Sequence, residues 1–315
     1  MMIVDSDAGT DPDDTCVAIL VARHPEIFRA ALLVSNDETT RHAKARFLRH
    51  VVALAGGNIA VAAGLPSLKQ RTTDLADDAG LVPDLEVATD GVARIIAVLE
   101  AHESVEYVGL GALTNLDAVF IQRPDLIPRV KLTQMGPAVA GNFARERPQY
   151  NARVDPMAFR RVLHAVTRPT LIATHTTWGT PPSHPPLGVF PTDEIGSRLA
   201  PSGRPDLLLY AQHLAAFVSS GKDCSILHDP TTLLVTREPE LVDTIEVDVV
   251  IDEQGWLHLT AGALELLRLL PAERTAWIAT ALTAPPAEGE PITVRLSLGA
   301  DHPRIRERVA ELLFT

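Results

Sequence analysis

The sequence predicts an α/β protein with a mostly parallel, open sheet and helices on both faces. Short apolar runs alternate with longer amphipathic runs, a pattern typical of strand–helix–strand units. Polar residues follow several of the strand-like runs, which is where such sheets bind ligands. With 315 residues, 46% of them hydrophobic, the chain can bury a sizeable core. No internal domain boundary is evident, so we expect one domain over residues 1–315 with a smaller C-terminal elaboration.

Apolar periodicity predicts the elements of the N-terminal half in order. Strands are predicted at Met2–Val4, Ala30–Val34, Ile59–Ala62, Val105–Val108, Val130–Met135 and Thr170–Ala173. Helices are predicted at Asp14–His24, Thr39–Leu54, Gly91–Leu99, Leu116–Ile121 and Pro156–Val166. The segments that follow these strands, and that should gather at one edge of the sheet, are Asp5–Asp14, Asn36, Gly111–Asn115 and Gly136–Asn151.

The C-terminal part has a less regular pattern. Proline-containing loops are predicted at Trp178–Pro191 and Ala284–Pro291, and helices at Asp206–Ser219 and Arg304–Leu313. Ile245–Ile251 and Trp256–Thr260 are predicted to form a hairpin, and Leu264–Ala281 is predicted to be helical with a break at Pro271.

Charge and composition exclude several classes of protein. The formal net charge of −12 disfavours nucleic acid as a partner, because an acidic surface repels phosphate. Two cysteines, Cys16 and Cys224, cannot form a disulfide framework. The N-terminus has no basic region followed by an apolar stretch, and no apolar run is long enough to span a membrane. We therefore expect a cytoplasmic protein with no membrane partner.

An acidic segment directly after the first strand carries the densest chemical signal. Five aspartates, Asp5, Asp7, Asp11, Asp13 and Asp14, fall within ten residues. Carboxylates this close repel one another, and a folded protein usually resolves the repulsion with a cation. The segment therefore predicts a site for a hard divalent cation.

Other interpretations of this segment are possible. Aspartates also cap helices and form turns, although five in ten residues are difficult to explain in this way. An EF-hand loop fails because no helix precedes the segment and Cys16 stands where the closing Glu is needed. A strand ending in Asp-x-Asp also resembles the haloacid dehalogenase phosphatases, with Asp5 as nucleophile and Asp7 as acid, but no convincing downstream Lys or second acidic pair is recognisable.

Read with its flanks, the segment resembles the signature of the nucleoside hydrolase family, and further matches occur in the family's order along nearly the whole chain. The matching segments are Asp5–Asp14, Val34–Asn36, Thr39–Arg41, Ala62–Gly64, Gly111–Leu116, Met135–Asn142, Tyr150–Pro156 and Leu227–Pro230. The resemblance implies a Rossmann-like, nucleoside hydrolase-type fold and cleavage of the N-glycosidic bond of a ribonucleoside or a related riboside. It also implies a homodimer or homotetramer.

The resemblance further implies roles for individual residues. Ca²⁺ would be held by Asp7, Asp14, Asp229 and the backbone carbonyl of Thr114. Asp13 would be the general base that activates a metal-bound water. Asn36, Asn142, Gln149, Asn151 and Asp229 would hold the ribosyl group. His228 could protonate the departing base, although it could equally only hydrogen-bond to its own loop.

The sequence departs from the family pattern around the expected sugar-binding segment. Gln149 stands where the family commonly has Glu, and Arg145, Arg147 and Arg153 lie nearby. Two interpretations remain open: the arginines are solvated, or the substrate is altered at its 5′ end, for example by phosphorylation. A non-catalytic riboside-binding protein on the same fold is a further alternative, against which Asp13 argues.

Overall fold

The structure is a computed structural model that describes residues 1–66, 68, 72–141, 147–178 and 187–315. Its strands are β1 (Met2–Ser6), β2 (Ala30–Ser35), β3 (Ala60–Ala62), β4 (Val105–Gly109), β5 (Val130–Met135), β6 (Thr170–Ile172), β7 (Gly188–Val189), β8 (Ser225–Ile226), β9 (Val242–Ile251), β10 (Leu257–Leu259) and β11 (Ile292–Ala300). Its helices are α1 (Asp13–Arg23), α2 (Pro25–Phe28), α3 (Ala43–Leu54), α4 (Leu75–Asp78), α5 (Gly91–Ala101), α6 (Thr114–Gln122), α7 (Tyr150–Val154), α8 (Pro156–Ala165), α9 (Thr174–Trp178), α10 (Gly196–Leu199), α11 (Pro205–Ser219), α12 (His228–Val235), α13 (Ala261–Arg268), α14 (Ala272–Thr275) and α15 (His302–Phe314).

A nine-stranded sheet in the order β10-β9-β11-β6-β5-β4-β1-β2-β3 organises the chain. In this order, the strands from β11 to β3 are parallel to their neighbours. β9 pairs antiparallel with β11 on one side and with β10 on the other. The chain runs outward from β1 in one direction to β2 and β3, and in the other to β4, β5 and β6. The strand order therefore reverses between β1 and β4, and a crevice is expected outside their carboxyl ends.

Two apolar clusters cover the two faces of the sheet, as the predicted fold class requires. Successive residues of β1 divide between them: Met2 and Val4 belong to one cluster and Ile3 to the other. Such division follows from the alternation of side chains along a strand. Both faces are buried, which explains why the parallel strands are continuous apolar runs in the sequence. Within the described residues, no helix is both long and apolar enough to cross a bilayer.

One predicted helix begins later than expected. The sequence predicts a start at Thr39, whereas α3 begins at Ala43. Thr39 instead accepts the N–H of Ala43 through its hydroxyl oxygen at 2.8 Å. The Glu38 carboxylate accepts the N–H groups of Lys44 and Ala45 at 3.1 and 2.9 Å. These side chains satisfy the first N–H groups of α3, so residues 38–39 cap the helix rather than extend it.

Strand β11 was not predicted from the sequence. It lies inside the sheet, parallel to β6 and antiparallel to β9. Buried Val294, Leu296 and Leu298 alternate with exposed Arg295, so a period-of-two signal was present. Part of the predicted Trp178–Pro191 loop is also regular, since it contains the end of α9 and strand β7; residues 179–186 lie outside the described part of the chain.

Candidate active site

Three carboxylates meet at the carboxyl end of β1. Asp7 follows this strand, Asp14 lies in the first turn of α1 and Asp229 lies in the first turn of α12. Their ligand atoms all lie within 4.8 Å of one another, and both Asp14 and Asp229 are buried. The structure thus brings together the three aspartates that were predicted to hold a metal.

The three carboxylates of this triad, those of Asp7, Asp14 and Asp229, repel one another, and a cation between them would offset this repulsion. Burial, followed by the negative charge of neighbouring aspartates, raises the pKa of Asp14 and of Asp229 well above the usual range. Three carboxylates at this separation do not all ionise unless a cation compensates them. Carboxylate oxygens are the ligands that Ca²⁺ and Mg²⁺ prefer, so these residues fit a hard divalent cation.

Gly9 allows the acidic loop to turn back on itself. Its φ of +105° lies in a region that side-chain-bearing residues rarely adopt. An added Cβ would also stand 2.3 Å from Oδ2 of Asp74. The turn at Gly9 therefore depends on glycine, and it lets Asp7 and Asp14 approach the same point from opposite ends of the loop.

Asp13 lies beside the triad and is held by two backbone groups. Its Oδ2 accepts the N–H of Asp229 and its Oδ1 accepts the N–H of Asp14, each at 3.1 Å. Burial raises the pKa of Asp13 well above its usual range, and the charges of Asp11 and Asp14 raise it further. A carboxyl group with a raised pKa next to a cation site is suited to accept a proton.

The structure also places a lysine at the site that sequence reasoning missed. Lys44, on α3, is 1% exposed, and its Nζ donates to the backbone carbonyl of Asp7 at 2.8 Å. Nζ also lies 3.9 Å from Oδ2 of Asp37, and that oxygen accepts the hydroxyl of Tyr150 at 2.9 Å. A lysine on an amphipathic helix is usually solvated, so periodicity alone could not place it here.

Asn36 lies next to the acidic loop but is not among the residues that line the cleft. Its amide nitrogen donates to both carboxylate oxygens of Asp5 at 3.2 Å and to the carbonyl of Ala112. Asp5 also accepts bonds from Tyr107 and Asn115, and burial raises its pKa to about 7. Neither Asn36 nor Asp5 lines the cleft. The Oδ1 of Asn36 is buried without a hydrogen-bond partner among the described residues, so its contact with a sugar stays a prediction. Asp5 is not placed as the nucleophile of a phosphatase.

Gln149 and Asn151 line the cleft at the start of α7. The Oε1 of Gln149 accepts the N–H of Asn151 at 2.7 Å and caps this short helix. Asn151 in turn donates through Nδ2 to the carbonyl of Leu110 at 2.5 Å. Both side chains are therefore anchored at the carboxyl edge of the sheet. Asn142 and Arg145 lie outside the described residues.

Thr114 lies at the start of α6 and is not among the residues that line the cleft, so its role as a metal ligand stays a prediction. A carbonyl in this position points along the helix toward the N–H four residues later. The hydroxyl of Thr114 donates to Asp155 at 3.0 Å. Leu110, between β4 and α6, lines the cleft and is the lining residue nearest to Thr114 in sequence.

His228 and an aromatic wall, formed by Trp178, Phe190 and Phe217, line a further part of the cleft. Nδ1 of His228 lies 2.5 Å from the hydroxyl of Thr177, and the imidazole stacks on Trp178 with ring centroids 6.3 Å apart. Phe190 and Phe217 also line the cleft. Flat aromatic faces suit a planar heterocycle, and His228 stands among them. These aromatic residues were not predicted as site residues, because in the sequence each one is also consistent with a position in the hydrophobic core.

These groups share one cleft with a volume of about 940 Å³. The predicted site residues that line it are Asp7, Asp13, Asp14, Gln149, Asn151, His228 and Asp229. Its volume falls in the range of small-molecule sites. The cleft opens at the reversal in strand order, where an open parallel sheet is expected to bind its ligand.

Comparisons with known proteins agree with this arrangement. The chain matches the family described as inosine-uridine preferring nucleoside hydrolase over residues 2–304. The pyrimidine-specific ribonucleoside hydrolase RihA of Klebsiella pneumoniae (strain 342) is 25% identical over an aligned length of 312 residues, covering 88% of this chain and 95% of RihA. RihA of Escherichia coli O81 (strain ED1a) is 26% identical over 278 residues, covering 81% of this chain and 85% of that RihA.

Solved structures share the fold. The plant nucleoside hydrolase PpNRh1 superposes with a TM-score of 0.72 at 19% identity, covering 100% of this chain and 98% of the other. A purine-preferring ribonucleoside hydrolase from Gardnerella vaginalis superposes with a TM-score of 0.69 at 17% identity, covering 100% of this chain and 99% of the other. Because the family match spans nearly the whole chain and the acidic triad lies where the fold binds ligands, this protein belongs to the inosine-uridine preferring nucleoside hydrolase family and is an N-glycosidase.

Proposed function

We propose that the enzyme uses Ca²⁺ and Asp13 to hydrolyse the N-glycosidic bond of a ribonucleoside. The observation that carries this proposal is the position of Asp13, which is bonded to the backbone of Asp229 beside the three carboxylates. One residue is thus available to take a proton while its neighbours hold the cation. A protein that only bound ribosides would not need Asp13 there.

Asp7, Asp14 and Asp229 would hold the cation. Ca²⁺ accepts 6 to 8 oxygens in flexible geometry, so backbone and substrate oxygens would add to the carboxylates. We propose the carbonyl of Leu110, rather than that of Thr114, as the backbone ligand, because Leu110 lines the cleft. When bound, the cation supplies positive charge that attracts the ribose hydroxyls and makes a nearby water more acidic.

In the proposed reaction, Asp13 accepts a proton from the attacking water through its carboxylate. The water oxygen bonds to C1′ of the ribose as the bond between C1′ and the base nitrogen breaks. The sugar acquires oxocarbenium character in such a transition state, and the surrounding carboxylates stabilise that positive charge. Asn151 and Asp229 would orient the ribose through its hydroxyls.

His228 is proposed to protonate the base as it leaves. His228→Ala should slow hydrolysis of inosine far more than that of p-nitrophenyl riboside, whose leaving group needs no proton. We expect a loss of about 10²-fold or more on inosine. The measurement is kcat/KM for both substrates, with Phe217→Leu as a control for the aromatic wall. Equal losses of His228→Ala on both substrates would point to a structural role through Thr177.

Lys44 is proposed to hold the acidic loop in place. Lys44→Met leaves the carboxylate of Asp37 buried without its cation and removes the bond to the Asp7 carbonyl. We expect the free energy of unfolding to fall by about 3–5 kcal/mol, measured by urea denaturation. The double variant Lys44→Met/Asp37→Asn should recover part of this loss, since it also removes the buried negative charge. A loss below about 1 kcal/mol for the single variant would contradict this role.

The direct test of the proposed function is a panel of ribonucleosides assayed for free base and reducing sugar with calcium present. Release of both products, in equal amounts, is the expected result. If no nucleoside is cleaved while p-nitrophenyl phosphate releases phosphate, the enzyme is not the proposed hydrolase. The homodimer or homotetramer that the family resemblance implies remains part of this proposal, and light scattering measures it.

A further inference from the structure

We propose that residues 147–153 form a subsite for an anionic group, and that this group is a phosphate monoester carried by the ribose of the substrate. This subsite rests on the proposed function and specifies its substrate class. Arg147 and Arg153 line the same cleft as the carboxylate triad. The segment between them, Arg147-Pro148-Gln149-Tyr150-Asn151-Ala152-Arg153, contains two cations and no acidic residue. The segment itself therefore carries a net positive charge.

Arg153 has a buried donor that no described group satisfies. Its Nε is buried and has no hydrogen-bond partner within the described part of the chain. Its guanidinium carbon lies 5.1 Å from the ring centroid of Tyr150. Tyr150 is itself anchored through the bond from its hydroxyl to Asp37. Because leaving a buried donor unpaired is unfavourable, this geometry indicates that Arg153 is held ready for an acceptor from a ligand.

Other arginines of the chain bind internal carboxylates, as Arg153 does not among the described residues. Arg161 binds both carboxylate oxygens of Asp117, at 2.8 and 2.5 Å. Arg237 binds both oxygens of Glu106, at 2.9 and 2.6 Å. Those guanidinium groups have internal acidic partners. Among the described residues Arg147 and Arg153 have none, although they face a cleft that is rich in aspartate elsewhere. Under the proposal, a phosphate of the substrate is their partner.

Phosphate fits these donors better than a hydroxyl does. A guanidinium presents paired N–H donors that match two phosphate oxygens, and its charge compensates a phosphate dianion. Gln149 adds a neutral amide, whose Nε2 contacts only the sulfur of Met135, at 3.5 Å, among described atoms. Asn151 lies on the same short helix as Arg153 and reaches the Leu110 carbonyl at the carboxyl edge of the sheet. The segment therefore extends from the ribose position to the arginines, as a sugar with a 5′-phosphate requires.

The test compares inosine and uridine with their 5′-monophosphates. We expect kcat/KM to favour the monophosphates by at least tenfold. Arg153→Ala should lower kcat/KM for the monophosphates by on the order of 10- to 100-fold and change that for the nucleosides by less than about twofold, because one charge-assisted interaction is lost. Arg153→Lys should recover only part of the loss, since an ammonium cannot form the paired bonds. Arg147→Ala, at an exposed position, tests the same subsite with little risk to folding.

Arg49→Ala is the matched control, because Arg49 is exposed on α3 and does not line the cleft. Faster cleavage of the plain nucleosides, or equal losses of Arg153→Ala on both substrate sets, would overturn the subsite and leave the proposed function intact. If neither set is cleaved, the proposed function fails, and calorimetry with ribose 5-phosphate and calcium still decides the subsite. Binding that is lost in Arg153→Ala supports it, and binding no tighter than that of ribose refutes it.

Discussion

Replacing Asp13 with alanine should lower kcat by about 10²- to 10⁴-fold, the range expected when a general base is removed. The carboxylate is buried beside the cation site and is held by the backbone N–H groups of Asp14 and Asp229. Calcium binding, measured by calorimetry, should persist in Asp13→Ala, because Asp7, Asp14 and Asp229 remain.

Asp11→Asn provides the matched comparison. Asp11 lines the same cleft, and burial raises its pKa to about 6. Its charge is also one cause of the raised pKa of Asp13. Asp11→Asn should therefore keep most of the activity and move the acidic limb of the kcat/KM profile to lower pH, as a lower pKa of Asp13 requires. Near wild-type turnover in Asp13→Ala would exclude Asp13 as the base, and an equally large loss in Asp11→Asn would make Asp11 the alternative.

Removing divalent cations with a chelator should abolish activity and lower the Tm, and added Ca²⁺ should restore both. Binding that favours the folded state stabilises it by about 2.7 kcal/mol when calcium is present at 100 times its Kd. Differential scanning calorimetry with and without calcium measures this shift. Asp229→Asn is the matched variant, because it removes one ligand of the triad and should show a much smaller calcium-dependent shift. Full activity after exhaustive chelation would refute a metal-dependent mechanism.

The pH dependence of the Tm tests the cation site independently. Carboxyl groups with raised pKa hold protons in the metal-free folded state that the unfolded chain has already released. Their contribution to stability is therefore present below the ordinary value of 3.8 and is lost as pH rises through the folded values, about 6 for Asp11 and about 7 for Asp5. The Tm of the metal-free protein should fall between about pH 5 and pH 8. Stabilisation by calcium should grow over the same interval, because the cation binds deprotonated Asp14 and Asp229. A metal-free Tm that rises over this interval would contradict the raised pKa values.

Local sequence patterns determined most of the parallel sheet. β1, β2, β4 and β5 were predicted within a residue or two, because strands buried on both faces are short continuous apolar runs. The five-aspartate loop likewise predicted a cation site, and the structure shows an acidic group that could hold one. The loop alone left the third carboxylate open. Asp229, more than 200 residues away in sequence, was assigned only through the ordered family motifs.

Contacts between distant segments decided the rest. β11 was not predicted although its period-of-two alternation is present in the sequence; its place between β6 and β9 is set by contacts with segments distant in sequence. Asn36 follows a strand, as a ligand-binding residue would, and the structure adds that its amide nitrogen bonds to Asp5 and Ala112, because those buried acceptors need a donor. The direction of a side chain at a strand end is not encoded in hydrophobic periodicity.

Lys44 shows this division most clearly. The amphipathic pattern correctly predicted the helix that carries it, and a lysine in such a pattern is expected on the solvated face. In the folded protein it is instead 1% exposed, with Nζ on the carbonyl of Asp7. Only the tertiary structure gathers enough buried negative charge, from Asp37 and the acidic loop, to offset the cost of removing an ammonium group from water. The sequence by itself thus determined the elements and the carboxylates of the site. The arrangement of charge around them depended on contacts of Lys44 and Tyr150 with Asp7 and Asp37, which form only in the folded chain.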